Sequence, residues 1–290
     1  MHEIVILTAT YNHPENIKGL YRSLLKQSNP DFSWVVVNDG SERETEEVLD
    51  SFKIEGKIDI TIINQENAGK GRATNRGLDS LTSSAEFVVI IDDDEQLMEN
   101  AVSTIKSYYE KYKNTACVAI NFNRRDESGN IIANPVIDED YFMSVQRHTS
   151  MKRTAGGYIA YFLDKLGDKR FSDYEGEKYI APSTLMMKAT DDSSLLWAKA
   201  VLGDTEFLAG GITKQGRRLR VKNPKGMIEY CNLMQNSGSS LWNKFAYSVH
   251  GYAYYYLQDK AARNDKLQLI HVASLPGFML SIYWKKKLLK

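Results

Sequence analysis

The sequence predicts an α/β fold built on a mostly parallel sheet, on three observations. Strand-like and helix-like segments alternate four times within about the first 110 residues, the pattern of a parallel sheet with right-handed crossovers. Phe87-Val88-Val89-Ile90-Ile91 is an unbroken, mostly β-branched apolar run, which suits a strand buried on both faces. Three connections that follow strands carry polar clusters, at Thr8–His13, Asn38–Ser41 and Asp92–Glu95. Open α/β sheets bind ligands at that edge.

Ile4 to Thr8 is the first short strand. Pro14 then falls where a helix first turn tolerates it, and Ile17, Leu20, Tyr21, Leu24 and Leu25 recur at helical spacing. Phe32 to Val37 reads as a second buried strand, Glu44 to Phe52 as a helix and Ile58 to Ile63 as a third strand. Asn67 to Gly77 opens a helix reaching about Leu81, the Phe87 strand follows, and Leu97 to Tyr112 reads as helix. Beyond it, Ala116 to Phe122 is strand-like and Asp126-Glu127-Ser128-Gly129-Asn130 a hairpin turn, with Ile131 to Val136 as the returning strand. Lys165 to Lys178, charged and containing two glycines, suits a loop. Leu202 to Phe207 leads into a further helix, and Leu241 to Ala262 is helical and rich in tyrosine.

Composition bounds the function. Lys+Arg and Asp+Glu both number 37, so no global charge points to nucleic acid. Cys117 and Cys231 offer neither a disulfide framework nor metal-type spacing, which agrees with a reducing, cytoplasmic setting. The short apolar run at the N-terminus carries Glu3 and reads as a first strand, not a signal peptide. No stretch has the roughly 18 uninterrupted apolar residues of a membrane span. No GxGxxG follows the first strand, which argues against a dinucleotide-binding fold.

The Phe87 strand stops on Asp92-Asp93-Asp94-Glu95. Four adjacent acids repel one another unless they are solvated or neutralised by a cation. Mg²⁺ and Mn²⁺ take oxygen ligands, one or two carboxylates together with substrate phosphates. An acidic N-cap for the following helix is the other reading, and one acid would satisfy it.

Taken together, the motifs resemble the family 2 glycosyltransferases with the GT-A fold. Thr8-Ala9-Thr10-Tyr11-Asn12 is similar to that family's opening strand and turn, and Asn38-Asp39-Gly40-Ser41 to its Asp-Asp-Gly-Ser turn with Asn in the first place. Asn67 to Gly77 resembles its segment ending in Asn-x-Gly, Asp92-Asp93-Asp94 its Asp-x-Asp metal motif, and Gly203-Asp204-Thr205-Glu206 the acidic segment with its catalytic base. The resemblance covers about residues 1–225, divided into a nucleotide-binding half (1–95) and an acceptor half (96–225), and leaves 226–290 as a helical C-terminal extension. It implies a Rossmann-type, mostly parallel sheet flanked by helices. It also implies transfer of a sugar, with inversion, from a nucleotide diphosphate donor using Mn²⁺ or Mg²⁺. The acceptor would be a saccharide or a lipid-linked molecule, in surface polysaccharide or glycoconjugate assembly.

On that resemblance Asp94 is the direct metal ligand, and Asp92 reaches the ribose or a metal-bound water. Asp93 either joins the nucleotide site or faces the other way, since neighbours on an extended segment point to opposite sides. Asp39 accepts from a base N–H, which favours a UDP-sugar, or it is a turn residue bonding its own backbone. Thr8, Thr10 and Tyr11 line the base pocket, Tyr11 being equally acceptable as a core ring. Lys70 and Arg72, at a helix N-terminus, suit a diphosphate or the uracil edge, or are solvated surface charges. The general base is Asp204, with Glu206 as rival, and an N-cap at Asp204 is the bland alternative. His250 and His271 are either additional metal ligands or structural.

Two other functions fit less well. A sugar-phosphate nucleotidyltransferase carries a Gly-rich, Arg-containing loop after its first strand, and Thr8–Pro14 has neither residue. A catalytically silent nucleotide-sugar-binding module would not need Asp92, Asp94 and Asp204. Leu269 to Trp284 is mostly apolar, broken by Pro276-Gly277 and followed by Lys285-Lys286-Lys287-Leu288-Leu289-Lys290. It reads either as a helix packed on the domain or as a segment that docks at the inner face of the cell membrane.

Overall fold

Buried β-branched runs set the strands, and amphipathic segments between them set the helices. A computed structural model describes residues 2–126, 128–134, 136–155, 157–205, 212–236, 238–258, 263 and 267–289. In chain order the elements are β1 (Ile4–Thr10), α1 (Pro14–Leu25), β2 (Ser33–Asp39), α2 (Arg43–Glu55), β3 (Asp59–Gln65), α3 (Lys70–Asp79), β4 (Phe87–Ile90), β5 (Glu95–Leu97), α4 (Ala101–Tyr112), β6 (Ala119–Arg125), β7 (Ala133–Asn134) and β8 (Tyr141–Phe142). There follow α5 (Val145–Ser150), β9 (Thr154–Ala155), β10 (Gly157–Phe162), α6 (Leu163–Leu166), α7 (Ser183–Ala189), β11 (Leu195–Thr205), α8 (Ile212–Lys222), α9 (Pro224–Leu233), α10 (Leu241–Leu257) and α11 (Ser274–Leu288).

The chain forms two compact units. The first comprises residues 1–143, 153–169 and 189–207, the second 144–152, 170–188 and 208–290. In the first, a nine-stranded sheet runs β3-β2-β1-β4-β10-β6-β11-β5, with β8 added on β11. The β3-β2-β1-β4 half is parallel throughout, as the alternation of elements requires. β10 then enters antiparallel to both β4 and β6, so the sheet is mixed. All seven residues of β2 are buried. Against this half, α1 packs Ile17, Leu20, Tyr21 and Leu24, and Tyr21 stacks on Phe52 of α2 with ring centroids 3.9 Å apart. Phe87 of β4 meets Phe162 of β10 at 4.5 Å.

Three sequence expectations are corrected here. The segment around Asp204 is not the start of a helix: β11 continues through Thr205, paired with β6 on one side and β5 on the other. Strand partners far away in sequence satisfy its backbone on both edges, which outweighs the local N-cap pattern. For the same reason the helix expected from Leu97 starts only at Ala101, because residues 95–97 form β5. The expected turn forms, with the Asp126 amide donating to the Asn130 carbonyl (2.9 Å) and the Ile132 amide to the Arg124 carbonyl (2.9 Å). Among the described residues, however, the returning strand shrinks to a bridge at Ile131, and β7 pairs with β9 in a separate two-stranded sheet.

In the second unit, α9, α10 and α11 enclose a core of Met227, Cys231, Tyr252, Tyr254 and Trp284. Glu177 receives the first amides of α9, from Lys225 (2.7 Å) and Gly226 (2.9 Å), and so places a carboxylate at the positive end of that helix. α10 ends at Leu257, and residues 259–262 of the expected helix lie outside the described residues.

Gly203 lets β5 lie close to β11. A Cβ there would stand 2.2 Å from the Gln96 carbonyl oxygen and 2.7 Å from the Tyr158 hydroxyl. Gly203→Ala therefore pushes β5 outward, and urea denaturation is expected to show a loss of about 1–3 kcal/mol, the usual cost of overpacking.

Candidate functional site

The site is assembled where β1, β2 and β4 end. Backbone turns fix its outline. Asn12, at φ 55, takes the left-handed conformation that asparagine tolerates. Its amide donates to Ser41 Oγ (3.0 Å), and its Oδ1 accepts from the Glu42 amide (2.7 Å), which joins the first turn to the second. Gly40 sits at φ 73, and a Cβ on it would be 2.6 Å from the Asn67 nitrogen. Only glycine satisfies both conditions.

Asp39 is buried, and both of its oxygens are occupied. Oδ1 accepts from Gln65 Nε2 (2.7 Å) and the Ala68 amide (2.8 Å), and Oδ2 from the Gly69 amide (2.8 Å) and Asn67 Nδ2 (3.3 Å). The carboxylate thus pins the segment leading into α3. The side-chain bond within the turn itself is made by Asn38, whose Oδ1 accepts from the Ser41 amide at 3.0 Å, while Asp39 binds the neighbouring loop. Thr8 is fully buried, and its hydroxyl accepts from Trp34 Nε1 at 3.1 Å. Tyr11 is exposed.

The acidic run leaves β4 and divides its carboxylates between two sides. Asp92, Asp94 and Glu95 each present an oxygen to one cluster, with those atoms all within 4.8 Å of one another. Asp93 turns away, accepting from the Thr10 hydroxyl (2.6 Å) and meeting His13 Nδ1 at 3.1 Å. Lys70, first residue of α3, places its ammonium on Asp92 Oδ1. Burial alone would raise the Asp92 pKa, but the Lys70 charge and hydrogen bond outweigh it and hold the group below its ordinary value. Asp94 moves the other way, raised by burial and then by the like charges of Asp92 and Asp93. Glu95 is almost fully buried and is pushed up to about 7, chiefly by burial, although Arg124 lies against it. Tyr158 donates to its second oxygen at 2.9 Å.

This donor set fits a hard divalent cation. Three carboxylates converge, one already neutralises a lysine ammonium, and two are held above their ordinary pKa by unrelieved negative charge or burial. The positive N-terminus of α3 lies beside them and suits an anion. Arg72, one turn into α3, donates to the Ala68 carbonyl (3.0 Å). The sequence motifs do not mark Arg124 or Tyr158, which carry no local signal. Glu95 and His13 are visible there only as the last members of the Asp92–Glu95 and Thr8–His13 polar clusters, without an assigned role.

Asp204 lies in β11 opposite Gln96 of β5, one residue from the pair formed by Thr205 and Glu95. Both of its oxygens accept from Arg125, Nε at 2.7 Å and Nη2 at 3.1 Å. By the alternation of side chains along a strand, Asp204 and Glu95 project from opposite faces of this ladder. Glu206 lies outside the described residues. His250 stacks on Trp284 at 5.9 Å, and His271 Nδ1 meets the Tyr252 hydroxyl at 3.1 Å, so each has an aromatic partner within the second unit.

The contact with Asp93 raises the His13 pKa above 6.5, through the hydrogen bond first and charge second. Its contribution to stability is therefore present below pH 6.5 and lost as pH rises through the higher folded value. NMR titration is expected to place the His13 midpoint above that of a free imidazole, and Asp93→Asn to return it toward 6.5.

Comparison with known proteins places this geometry in context. A β-1,3-glucosyltransferase from Campylobacter jejuni, named for the substrate GalNAc(5)-diNAcBac-PP-undecaprenol, is 23% identical over 280 residues, covering 92% of this chain and 85% of that protein. Three other curated relatives are matched over only 21%, 15% and 30% of their own length. Among solved structures, residues 1–349 of Staphylococcus aureus TarS bound to UDP-GlcNAc superpose with a TM-score of 0.67 at 16% identity, covering 97% of this chain and 81% of that one. The mannosyltransferase PcManGT of Pyrobaculum calidifontis, in complex with GDP-Man and Mn²⁺, gives 0.61 at 15% identity, covering 98% and 81%. At such identities the likeness shows the fold, with its mixed sheet and flanking helices. The family described as "Glycosyl transferase family 2" matches residues 5–165, more than half of the chain, and with the strand-end motifs in the order found here the protein belongs to that family.

Proposed function

We propose that the protein transfers a sugar, with inversion, from a UDP-sugar to a saccharide or lipid-linked acceptor in surface polysaccharide or glycoconjugate assembly. The observation that carries this reading is the convergence of Asp92, Asp94 and Glu95 at the end of β4, beside the N-terminus of α3. A departing nucleoside diphosphate needs charge neutralisation at such a place, and three converging carboxylates, Glu95 buried and Asp92 and Asp94 half-buried, can hold the divalent cation that provides it. The Campylobacter relative, named for a lipid-linked substrate, and the TarS complex with UDP-GlcNAc support the acceptor and donor classes.

Asp94 and Asp92, with Glu95 beside them, would hold Mn²⁺ or Mg²⁺, which supplies Lewis-acid stabilisation of the leaving phosphates. Lys70 is placed to exchange its bond to Asp92 for a diphosphate oxygen once the cation neutralises that carboxylate. Asp39, Thr10 and Tyr11 belong to the turns that would shape the base pocket. Asp39 acts there through the loop it pins, and would meet the base N–H only by giving up one of those bonds. The general base is carried by the Gly203–Glu206 segment. Asp204 takes that role only if its pair with Arg125 opens, and Glu206 is the rival.

Asp94→Asn is expected to abolish Mn²⁺-dependent UDP binding in calorimetric titration while the thermal unfolding profile stays near wild type. Unchanged Mn²⁺-dependent affinity would refute the metal assignment.

Asp204→Asn and Glu206→Gln separate the two candidate bases. The variant that loses the base keeps its UDP-sugar KM and drops in kcat by roughly 10²–10⁴-fold. Arg125→Ala, which removes the ion pair without touching either acid, reports any purely structural loss in the same assay.

A further inference from the structure

The two faces of α11 are unlike in burial and alike in apolarity. One face, through Gly277, Ser281 and Trp284, packs on α10. Gly277 permits the close approach: a Cβ on it would lie 2.5 Å from Tyr252 Cβ and 2.8 Å from the Val249 carbonyl oxygen. Trp284 is buried between His250 and Tyr254, at 5.9 and 4.9 Å.

The opposite face carries Leu275, Met279 and Ile282, with Tyr283 beside them, all exposed, Leu275 at 69% and Met279 at 65%. Leu275, Met279, Ile282 and Lys286 are spaced by four, three and four residues, so they form one stripe that ends on a lysine. Lys285 and Lys287 flank it, both exposed, and Lys287 donates to the Tyr283 hydroxyl at 2.9 Å. No acid follows Asp265 in the sequence, so nothing on this helix offsets the three charges. The contacts between Tyr256 and Ser274 and between His250 and Trp284 show α10 and α11 to be antiparallel. The exposed Leu241 and Trp242 at the start of α10 therefore lie at the lysine-rich end of α11.

We propose that this face of α11 docks in the plane of an anionic lipid bilayer, with Leu275, Met279 and Ile282 in the acyl boundary and Lys285–Lys287 at the phosphate level. Charge complementarity selects the occupant. A second copy of the same face brings no anion to meet the lysines, whereas an anionic leaflet neutralises them and accepts the apolar stripe. Tyr283 and Trp242 are the residue types that sit at a headgroup boundary. Among the described residues no helix is long and apolar enough to cross a membrane. The inference goes beyond sugar transfer and is tested without substrate, so its failure leaves the enzymatic reading untouched.

Deleting the tail would strip Trp284 from the core, and the test uses exposed positions instead. Flotation at low salt compares the full chain with Met279→Glu/Ile282→Glu and Lys285→Gln/Lys286→Gln/Lys287→Gln. The vesicles are phosphatidylglycerol–phosphatidylcholine mixtures or phosphatidylcholine alone, and circular dichroism confirms the fold of each variant. The wild type is expected to float with the anionic vesicles and not with the neutral ones. Both variants should bind more weakly, the lysine variant by roughly a hundredfold. A wild type that stays down with anionic vesicles, floats equally on neutral ones, or is matched by either variant overturns the proposal. So does sedimentation showing a wild-type dimer that Met279→Glu/Ile282→Glu dissociates while flotation is unchanged.

Discussion

Four consecutive carboxylates at the end of a buried strand are the constraint on which the first unit depends. Like charges within 4.8 Å of one another repel by roughly 3 kcal/mol per pair at an effective dielectric constant near 20. The fold answers by giving the acids partners from different elements. Lys70 of α3 meets Asp92, Thr10 of β1 and His13 meet Asp93, and Arg124 of β6 with Tyr158 of β10 meets Glu95. Asp94 alone has no cationic side chain bonded to it among the described contacts, and its pKa is raised by burial first and by the like charges of Asp92 and Asp93 second. The same arrangement that makes the strand end tolerable leaves room for one more cation.

The positions of those partners are in turn fixed by hydrogen bonds between loops. Asp39 holds the segment from Gln65 to Gly69, and that segment sets where α3 begins and so where Lys70 stands. Asn12 ties the first turn to Ser41 and Glu42. A change at Asp39 or Asn12 would thus reach the acidic cluster through backbone geometry, without either side chain touching it. Pre-organisation of this kind is what a site for a highly charged ligand needs, since reordering polar loops at each binding event would cost affinity.

The second unit follows a different logic. Its core is aromatic, with Tyr252, Tyr254 and Trp284 packed between three helices, and the tyrosine-rich run of α10 serves mainly that packing. A helix that is apolar on both faces and packed on only one leaves a surface that water does not favour. The lysines at its end give that surface a polarity and an orientation.

What the sequence determined by itself was whatever rests on local pattern. The parallel half of the sheet was legible because each β-branched run buries itself wherever it pairs, and the helices between show their periodicity. The metal-type cluster was legible because four acids in a row at the end of a buried strand repel one another until a cation or water offsets them. Tertiary structure alone decided the rest. The antiparallel entry of β10, the extension of β11 through Asp204 and the existence of β5 all depend on partners dozens of residues away. Arg124 and Tyr158 reach Glu95 from 29 and 63 residues along the chain. The pairing of Asp204 with Arg125 likewise spans 79 residues. The exposed stripe on α11 was equally hidden, because apolar residues surround that helix and only packing against α10 determines which of them stay dry.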